Sequence, residues 1–200
     1  MMQANDISFV TNKIIRKLNR DEHPNKAALA SIRGAATLTS PRAQGIWPIL
    51  LANLDKEMLS SDGYPTYAEV AIYAAVRFYA IHQQGQEQLV YEPTSRDEPT
   101  EFFMRLAKMR QDERIHDALD RRVRILLATT NVNSMINSLS HLVSIVKSHH
   151  RDWSIDYARL AKDLYIAQFG NRQANQVHLR WGQQYYRNLQ TIKNSEGKQN

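Results

Sequence analysis

Residues 65–83 carry the clearest evidence for the architecture of this chain, and they read PTYAEVAIYAAVRFYAIHQ. The segment is rich in alanine, and its apolar residues leave no broad polar face: Ala68, Val70, Ala71, Ile72, Ala75, Val76, Tyr79 and Ala80. A helix that is apolar on nearly every side must be covered by other elements. The segment therefore predicts a central helix surrounded by the rest of the chain.

The sequence before this segment also has helical periodicity. Apolar residues recur at steps of three and four near the N-terminus, at Ile7, Val10, Ile14 and Leu18. This spacing predicts one buried helical face, with Asp6 as its cap. Pro24 is a candidate first residue of a second helix, because proline is favoured at that position. A third helix is predicted over residues 46–54.

The sequence after residue 100 predicts further helices. Their apolar stripes cover residues 102–109, 115–126, 132–146, 157–165 and 177–192. Thr130 or Asn131 is expected to begin one of them, Gly170 to stop another, and the pair Asp112 and Glu113 to cap or begin a helix. No segment shows the period of two that a strand requires. The predicted fold class is all-α, with two packed helical bundles of about eight to nine helices.

A break in the pattern suggests where the two bundles meet. Residues 83–100 contain Gly85, Pro93 and Pro99, which interrupt helical periodicity. We therefore predict an N-terminal bundle over residues 1–95 and a C-terminal bundle over residues 96–200.

Composition excludes several classes of protein. The 200 residues include no Cys, so disulfide scaffolds, thiolate metal sites and cysteine nucleophiles are excluded. The apolar runs are too short to span a bilayer, and the N-terminus has no apolar signal segment. We expect a cytoplasmic protein with no membrane partner.

Motifs for catalysis are missing from the sequence. The seven Gly are isolated, so neither a phosphate-binding loop nor a dinucleotide fingerprint is present. The dipeptide His116-Asp117 is similar to a metal-binding pair of one class of phosphohydrolases, but that class needs further ligands. We predict no catalytic residues, no metal and no cofactor. A metal-dependent nuclease at His116 is a minor rival hypothesis.

Basic residues group at helical spacing. The net charge is +6, and 17 of the 26 basic residues are Arg, whose planar fork suits bidentate phosphate contact. One stripe lies on the first predicted helix, and comprises Lys13, Arg16, Lys17 and Arg20. A second group is Arg105 with Lys108. In a third group, Arg121 and Arg124 share one face of a predicted helix, and Arg122 lies about a third of a turn away from that face. Some of the four arginines between residues 114 and 124 are expected to pair with Asp117 and Asp120: Arg114, Arg121, Arg122 and Arg124. The others could follow a phosphate backbone, or could form a solvated face.

Aromatic residues on the last predicted helix could have either of two roles. Trp181, Tyr185 and Tyr186 could stack on bases, but an aromatic stripe at helical spacing more often packs in a core. We expect Trp181 to be a core residue, and likewise Trp47 and Trp153.

Five groups of segments, in this order and spacing, resemble the small subunit of the type I-E CRISPR surveillance complex Cascade, the CasB family. They are SIRG at 31–34 with PR at 41–42 and IWPIL at 46–50; residues 68–85 ending in HQQG; RRVRILL at 121–127; DYARLAKDL at 156–164; and LRWG at 179–182 with YY at 185–186. The resemblance covers residues 26–188. It implies an all-α protein of two bundles that is not an enzyme.

The same resemblance implies partners and site residues. Members of the family pair with a second copy, touch the backbone and large subunits of Cascade, and contact guide RNA, target DNA and the displaced strand of the R-loop. By similarity, the basic positions of the family fall on Arg33 with Arg42 nearby, on Arg105, and on Arg121 and Arg122. The stripe from Lys13 to Arg20 has no counterpart in the family. The main alternative is a helical adaptor that binds only proteins.

Two departures from the family pattern concern these positions. Many members have a glycine-containing segment where this chain has Phe103, Met104, Arg105 and Leu106, so Arg105 need not approach a backbone as closely. Many members also double the arginine at Arg33, whereas Gly34 follows it here.

Overall fold

The computed structural model describes residues 3–19, 24–95 and 99–196. Within these residues nine α-helices occur: α1 (Ala4–Leu18), α2 (Lys26–Arg33), α3 (Trp47–Leu50), α4 (Tyr67–Gln83), α5 (Phe102–Met109), α6 (His116–Ala128), α7 (Val132–His149), α8 (Tyr157–Ala167) and α9 (Asn171–Glu196). Three short 3-10 helices connect α2 to α4, at Pro41–Gly45, Leu51–Asn53 and Lys56–Met58. The described residues contain no strand beyond one isolated bridge between Tyr91 and Ile155. The predicted all-α class is confirmed.

The segment that predicted a central helix is α4. It begins in a capping box, in which the Thr66 hydroxyl accepts from the Glu69 amide at 3.1 Å and the Glu69 carboxylate accepts from the Thr66 amide at 2.8 Å. Thirteen of its seventeen residues are buried, because α1, α2, α7 and α8 pack around it. The expectation of a covered central helix is confirmed.

The two halves of the chain share one hydrophobic core. In the second half, α5 packs on α9, whereas α8 packs mainly on α1 and α4 of the first half. The interrupted segment after α4 is tied to the beginning of α8, because the Ile155 amide donates to Val90 and the Asp156 amide donates to Thr100. The division of the chain near residue 95 stays a prediction.

Several helix ends differ from the expectations. Helix α2 begins at Lys26, not at Pro24, because the Asn25 side chain accepts from the Ala28 amide at 3.0 Å and so caps the helix. Asp6 is the third residue of α1, in a capping box with Gln3. The helix predicted over 46–54 is split into α3 and a 3-10 turn.

Later helix ends agree better with the sequence. Asn131 caps α7 as expected, by accepting from the Ser134 amide at 3.0 Å. Gly170 has a φ of 131° and separates α8 from α9. Asp112 does not begin a helix, because α6 begins at His116 and the Asp112 carboxylate binds Arg114 instead. Among the described residues no helix is long and apolar enough to cross a membrane.

Candidate nucleic-acid interface

Three cationic side chains from different parts of the chain meet where α7 ends. Lys147 lies in the last turn of α7, Arg151 in the turn that follows, and Arg33 in the last turn of α2. Partial burial lowers the pKa of Lys147, and the positive charges of Arg33 and Arg151 lower it further. Like charges at this range repel one another, so an anion placed against them would be stabilising.

Arg42 lies beside Gly34, the residue directly after Arg33. A Cβ atom on Gly34 would lie 3.2 Å from Nη1 and 3.3 Å from Cδ of Arg42, so the arginine side chain lies directly against the glycine. The Ser31 hydroxyl also donates to the Arg42 carbonyl oxygen. A second arginine at position 34 would occupy the space that Arg42 uses. The four cations are named the α7-end cluster: Arg33, Arg42, Lys147 and Arg151.

The α7-end cluster has neutral rather than acidic partners. The Lys147 ammonium donates to Gln84 Oε1 at 2.9 Å. Within the described part of the chain, no salt bridge involves any of the four cations. The positive charge of the cluster is therefore not neutralised by a described acid, with Arg42 and Arg151 exposed and Arg33 and Lys147 half-buried.

A second cationic group surrounds the ring of Trp153. The Arg105 guanidinium lies 5.7 Å and the Lys108 ammonium 5.4 Å from the ring centroid, both within cation–π range. His150 stacks on the same ring, with centroids 3.7 Å apart and planes 3° apart. Arg105 also donates through Nε to the Ser154 carbonyl at 3.1 Å. Arg105 is thus half-buried and held by the protein, whereas Lys108 is exposed.

Helix α6 presents an exposed row of arginines. Arg121, Arg122 and Arg124 are all exposed, and Arg122 donates to the Ala118 carbonyl at 3.2 Å. In the described residues none of the three takes part in a salt bridge. We name these three residues the α6 row.

The expected pairing of these arginines with nearby acids is wrong. Asp120 instead accepts from Arg110 at 2.5 and 2.8 Å and from the Tyr185 hydroxyl at 2.7 Å, because it faces the core side of α6. The Asp117 side chain is 96% exposed, and its Oδ1 lies 3.9 Å from His116 Nδ1. The α6 row is therefore left with its charge uncompensated by those acids.

A groove of about 520 Å³ runs beside the α6 row, between α6 and α7. Arg122 and the 60% exposed Ile125 line one wall, and His141, Ser144 and Ser148 line the other. A connection of three residues makes α6 and α7 antiparallel neighbours, so the Ser148 end of the groove approaches the end of α7. The groove thus extends from the α6 row to the last turn of α7, the turn that also carries Lys147.

The stripe predicted on α1 is partly described. Lys13, Arg16 and Lys17 are exposed, and Arg20 lies outside the described residues. Arg16 donates to Asn12 Oδ1 at 3.2 Å and lies 5.9 Å from the centroid of the Tyr91 ring. The stripe belongs to a different helix from the three groups above.

The aromatic residues mostly belong to the core. Trp181 is 1% exposed, stacks on Phe103 at 4.7 Å, and donates to the buried Asp163 carboxylate at 2.7 Å. Tyr185 is also buried, whereas Tyr186 is exposed. Trp47 and Trp153 are partly buried against the core. The expectation that Trp181 is a core residue is confirmed.

The dipeptide His116-Asp117 does not belong to a larger ligand group. No set of three His, Cys, Asp or Glu residues that could hold a metal occurs among residues 3–19, 24–95 and 99–196. His116 Nε2 lies 3.5 Å from Asp120 Oδ2, and that carboxylate is already bound by Arg110. A cation there would have to displace the guanidinium.

Sequence reasoning missed Lys147 and Arg151. Each is an isolated basic residue in the sequence, and only the packing of α7 against α4, with α2 on the same central helix, brings them to Arg33. The four-residue spacing of Lys147 and Arg151 is the only signal that could have linked those two.

The fold and these side chains define an all-α protein with cations grouped at its surface, some exposed and some half-buried. The family described as CRISPR-associated protein Cse2 matches residues 27–186, and the chain belongs to this family. The family suggested by the sequence resemblance is thereby confirmed.

Two solved structures share the fold. CasB from Thermobifida fusca superposes with a TM-score of 0.68 at 21% identity, covering 93% of this chain and 99% of that one. A chain of a CRISPR RNA-guided surveillance complex gives a TM-score of 0.66 at 18% identity, covering 96% and 98%. A comparison with curated protein sequences gives no match.

Proposed function

We propose that the chain is a non-catalytic subunit of a Cascade-type CRISPR surveillance complex, acting in antiviral defence in the cytoplasm. The observation that carries the proposal is the family match over residues 27–186. The fold shared with a chain of an RNA-guided surveillance complex supports it. In the complex the subunit would pair with a second copy of itself and contact the backbone and large subunits.

The proposed activity is sequence-independent binding of nucleic acid. The α6 row is exposed, the α7-end cluster is exposed or half-buried, and no acid of the described residues forms a salt bridge with either group. Phosphates of the nucleic acid would neutralise these cations. Binding would also release the counterions condensed on the nucleic acid, which favours association. Contacts of this kind position a strand and carry no base sequence. The groups would hold guide RNA and target DNA together with the displaced strand.

A few phosphate contacts are sufficient to stabilise an R-loop. Opening a duplex is nearly balanced when a guide strand replaces the lost base pairs, so a few phosphate contacts to the separated strands shift the equilibrium. The subunit would therefore prolong the R-loop without catalysing a reaction.

A protein-only adaptor is the second candidate. An exposed aromatic pair favours it, because Tyr67 and Phe169 are 49% and 52% exposed and contact each other edge to face at 5.4 Å. A gel shift with single- and double-stranded nucleic acid at several salt concentrations separates the two candidates, since an adaptor would show no salt-dependent shift.

The R-loop lifetime tests the proposed function. We expect Arg121→Ala with Arg122→Ala to shorten the lifetime of the R-loop formed by the assembled complex, while guide RNA still co-purifies. The matched control removes two exposed cations elsewhere, with Lys56→Ala and Arg172→Ala. An unchanged lifetime in the first variant, or an equal loss in the control, would contradict the role of the α6 row.

A further inference from the structure

A polar groove of about 280 Å³ lies between α1 and α8. Asn5, Ser8 and Asn12 line it from α1, and Arg159 and Lys162 line it from α8. These residues belong neither to the α7-end cluster nor to the α6 row.

The side-chain amides of Asn5 and Asn12 accept hydrogen bonds through their oxygens, and their amino groups are left to donate. Asn5 Oδ1 accepts from the Lys162 ammonium at 2.7 Å. Asn12 Oδ1 accepts from the Tyr91 hydroxyl at 2.9 Å and from Arg16 Nε at 3.2 Å. Each amide also carries an amino group with two donors. Both residues therefore offer amino-group donors to a ligand.

Two further polar atoms of the groove residues are buried without a partner in the described chain, namely Ser8 Oγ and Arg159 Nε. Such atoms are rare in native proteins, because an unmade hydrogen bond is costly, and each points to a missing partner. The carboxylate of the groove, Asp156, is already occupied by the amides of Thr94 at 2.9 Å and Arg159 at 2.8 Å. The groove is thus rich in donors and positive charge, which suits a phosphate group.

An exposed aromatic side chain lies at the rim of this groove. Phe9 is 69% exposed, although it belongs to a helix whose opposite face is fully buried. Lys13 and Arg16 follow at i+4 and i+7, so the three side chains share a face of α1. A ring beside phosphate-binding cations is the arrangement that binds single strands through backbone contact and base stacking.

We propose that the α1/α8 groove binds one nucleotide of a single strand. Its phosphate would accept hydrogen bonds from the neighbouring donors of Asn5 and Lys162, and its base would stack on Phe9. A base inside a duplex is already stacked on its neighbours, so this site would favour single strands over duplexes. The site would add one nucleic-acid contact to the proposed function, and its residues lie outside the α7-end cluster and the α6 row.

Fluorescence of a short single-stranded DNA containing 2-aminopurine tests the proposal with the full chain. Stacking on Phe9 would quench the emission of the base in the wild type. Phe9→Ala should abolish the quenching and weaken binding by about fivefold or more, as expected for one stacked base. Because Phe9 is exposed, its removal should leave the helix content unchanged. Lys162→Gln should weaken binding while part of the quenching remains.

The controls separate this site from the rest of the molecule. Phe169→Ala removes another exposed aromatic ring, at the far end of α8, and should change neither quenching nor affinity. If the wild type binds the strand and Lys147→Ala weakens binding, but Phe9→Ala has no effect, the groove proposal is wrong and the proposed function stands. If Phe9→Ala binds DNA normally but fails to assemble with the other subunits, the groove is a protein-docking surface and the proposal is also wrong. If the wild type binds no nucleic acid, the groove proposal and the proposed nucleic-acid binding both fail, whereas the family membership is unaffected.

Discussion

The substitution Asp120→Asn tests the contacts that hold α6, and with it the α6 row, against the protein. The Asp120 carboxylate binds Arg110, directly after α5, and the buried hydroxyl of Tyr185 on α9. The side chains of Asp120 and Arg110 are only 14% and 16% exposed. One carboxylate therefore connects three helical elements.

The structure sets the size of the expected loss. Hydrogen bonds to a charged group contribute about 1.5–3 kcal/mol each, and breaking a buried ion pair by removing one partner costs about 3–5 kcal/mol. Asparagine keeps one acceptor, and the pair retains some contact with solvent. We therefore expect Asp120→Asn to lower the free energy of unfolding by about 2–4 kcal/mol.

Urea unfolding followed by circular dichroism measures this loss. The matched control is Asp117→Asn, because Asp117 lies on the same helix and is 96% exposed. The control should change stability by less than about 0.5 kcal/mol. Equal effects of the two substitutions would refute the reasoning.

The pH dependence of the same variant gives an independent check. Hydrogen bonds from Arg110, and then from Tyr185, lower the pKa of Asp120 in the folded state. The folded state therefore binds fewer protons than the unfolded state, so the stabilisation is present above the ordinary carboxyl pKa of about 3.9 and is lost as the pH falls through the folded-state value. The difference between wild type and Asp120→Asn should shrink below about pH 4.

Two further predictions concern single residues. Burial lowers the pKa of His82 from 6.5 to about 4, so the unfolded state binds the proton first and stability should fall as the pH drops between these values. His82→Gln should remove that slope in urea unfolding, and an unchanged slope would contradict the assignment. Asn131→Ala removes the cap of α7 and should cost about 1 kcal/mol in thermal unfolding. Asn133→Ala, in the first turn of the same helix, should cost less than half as much, and equal losses would exclude capping as the cause.

The fold could be predicted where local sequence decides the structure. The segment of α4 has no polar face, so its burial follows from its composition, and Asn131 has the side chain that a helix start requires. The prediction that α2 begins at Pro24 is wrong, because Pro24 and Asn25 are both residue types that occur at helix starts. Asn25 caps it, and Pro24 is left one position outside.

The candidate site could be predicted only in part. The exposure of Arg121, Arg122 and Arg124 follows from their positions around α6. The partner of Asp120 cannot be predicted from its position on the helix. Asp120 and Arg124 have the spacing of an ion pair, yet Asp120 turns inward to Arg110, which is separated from it by a loop. The α7-end cluster depends in the same way on contacts between helices that are distant in sequence.

The salt dependence of binding tests the central claim most directly, because that claim is contact with phosphates rather than with bases. We expect Arg33→Gln with Lys147→Gln to weaken the binding of the full chain to single-stranded DNA. The slope of log affinity against log salt should fall by about 1.4, at about 0.7 for each lost contact, and equally for two unrelated base sequences. An unchanged slope, or a loss confined to one sequence, would contradict the account.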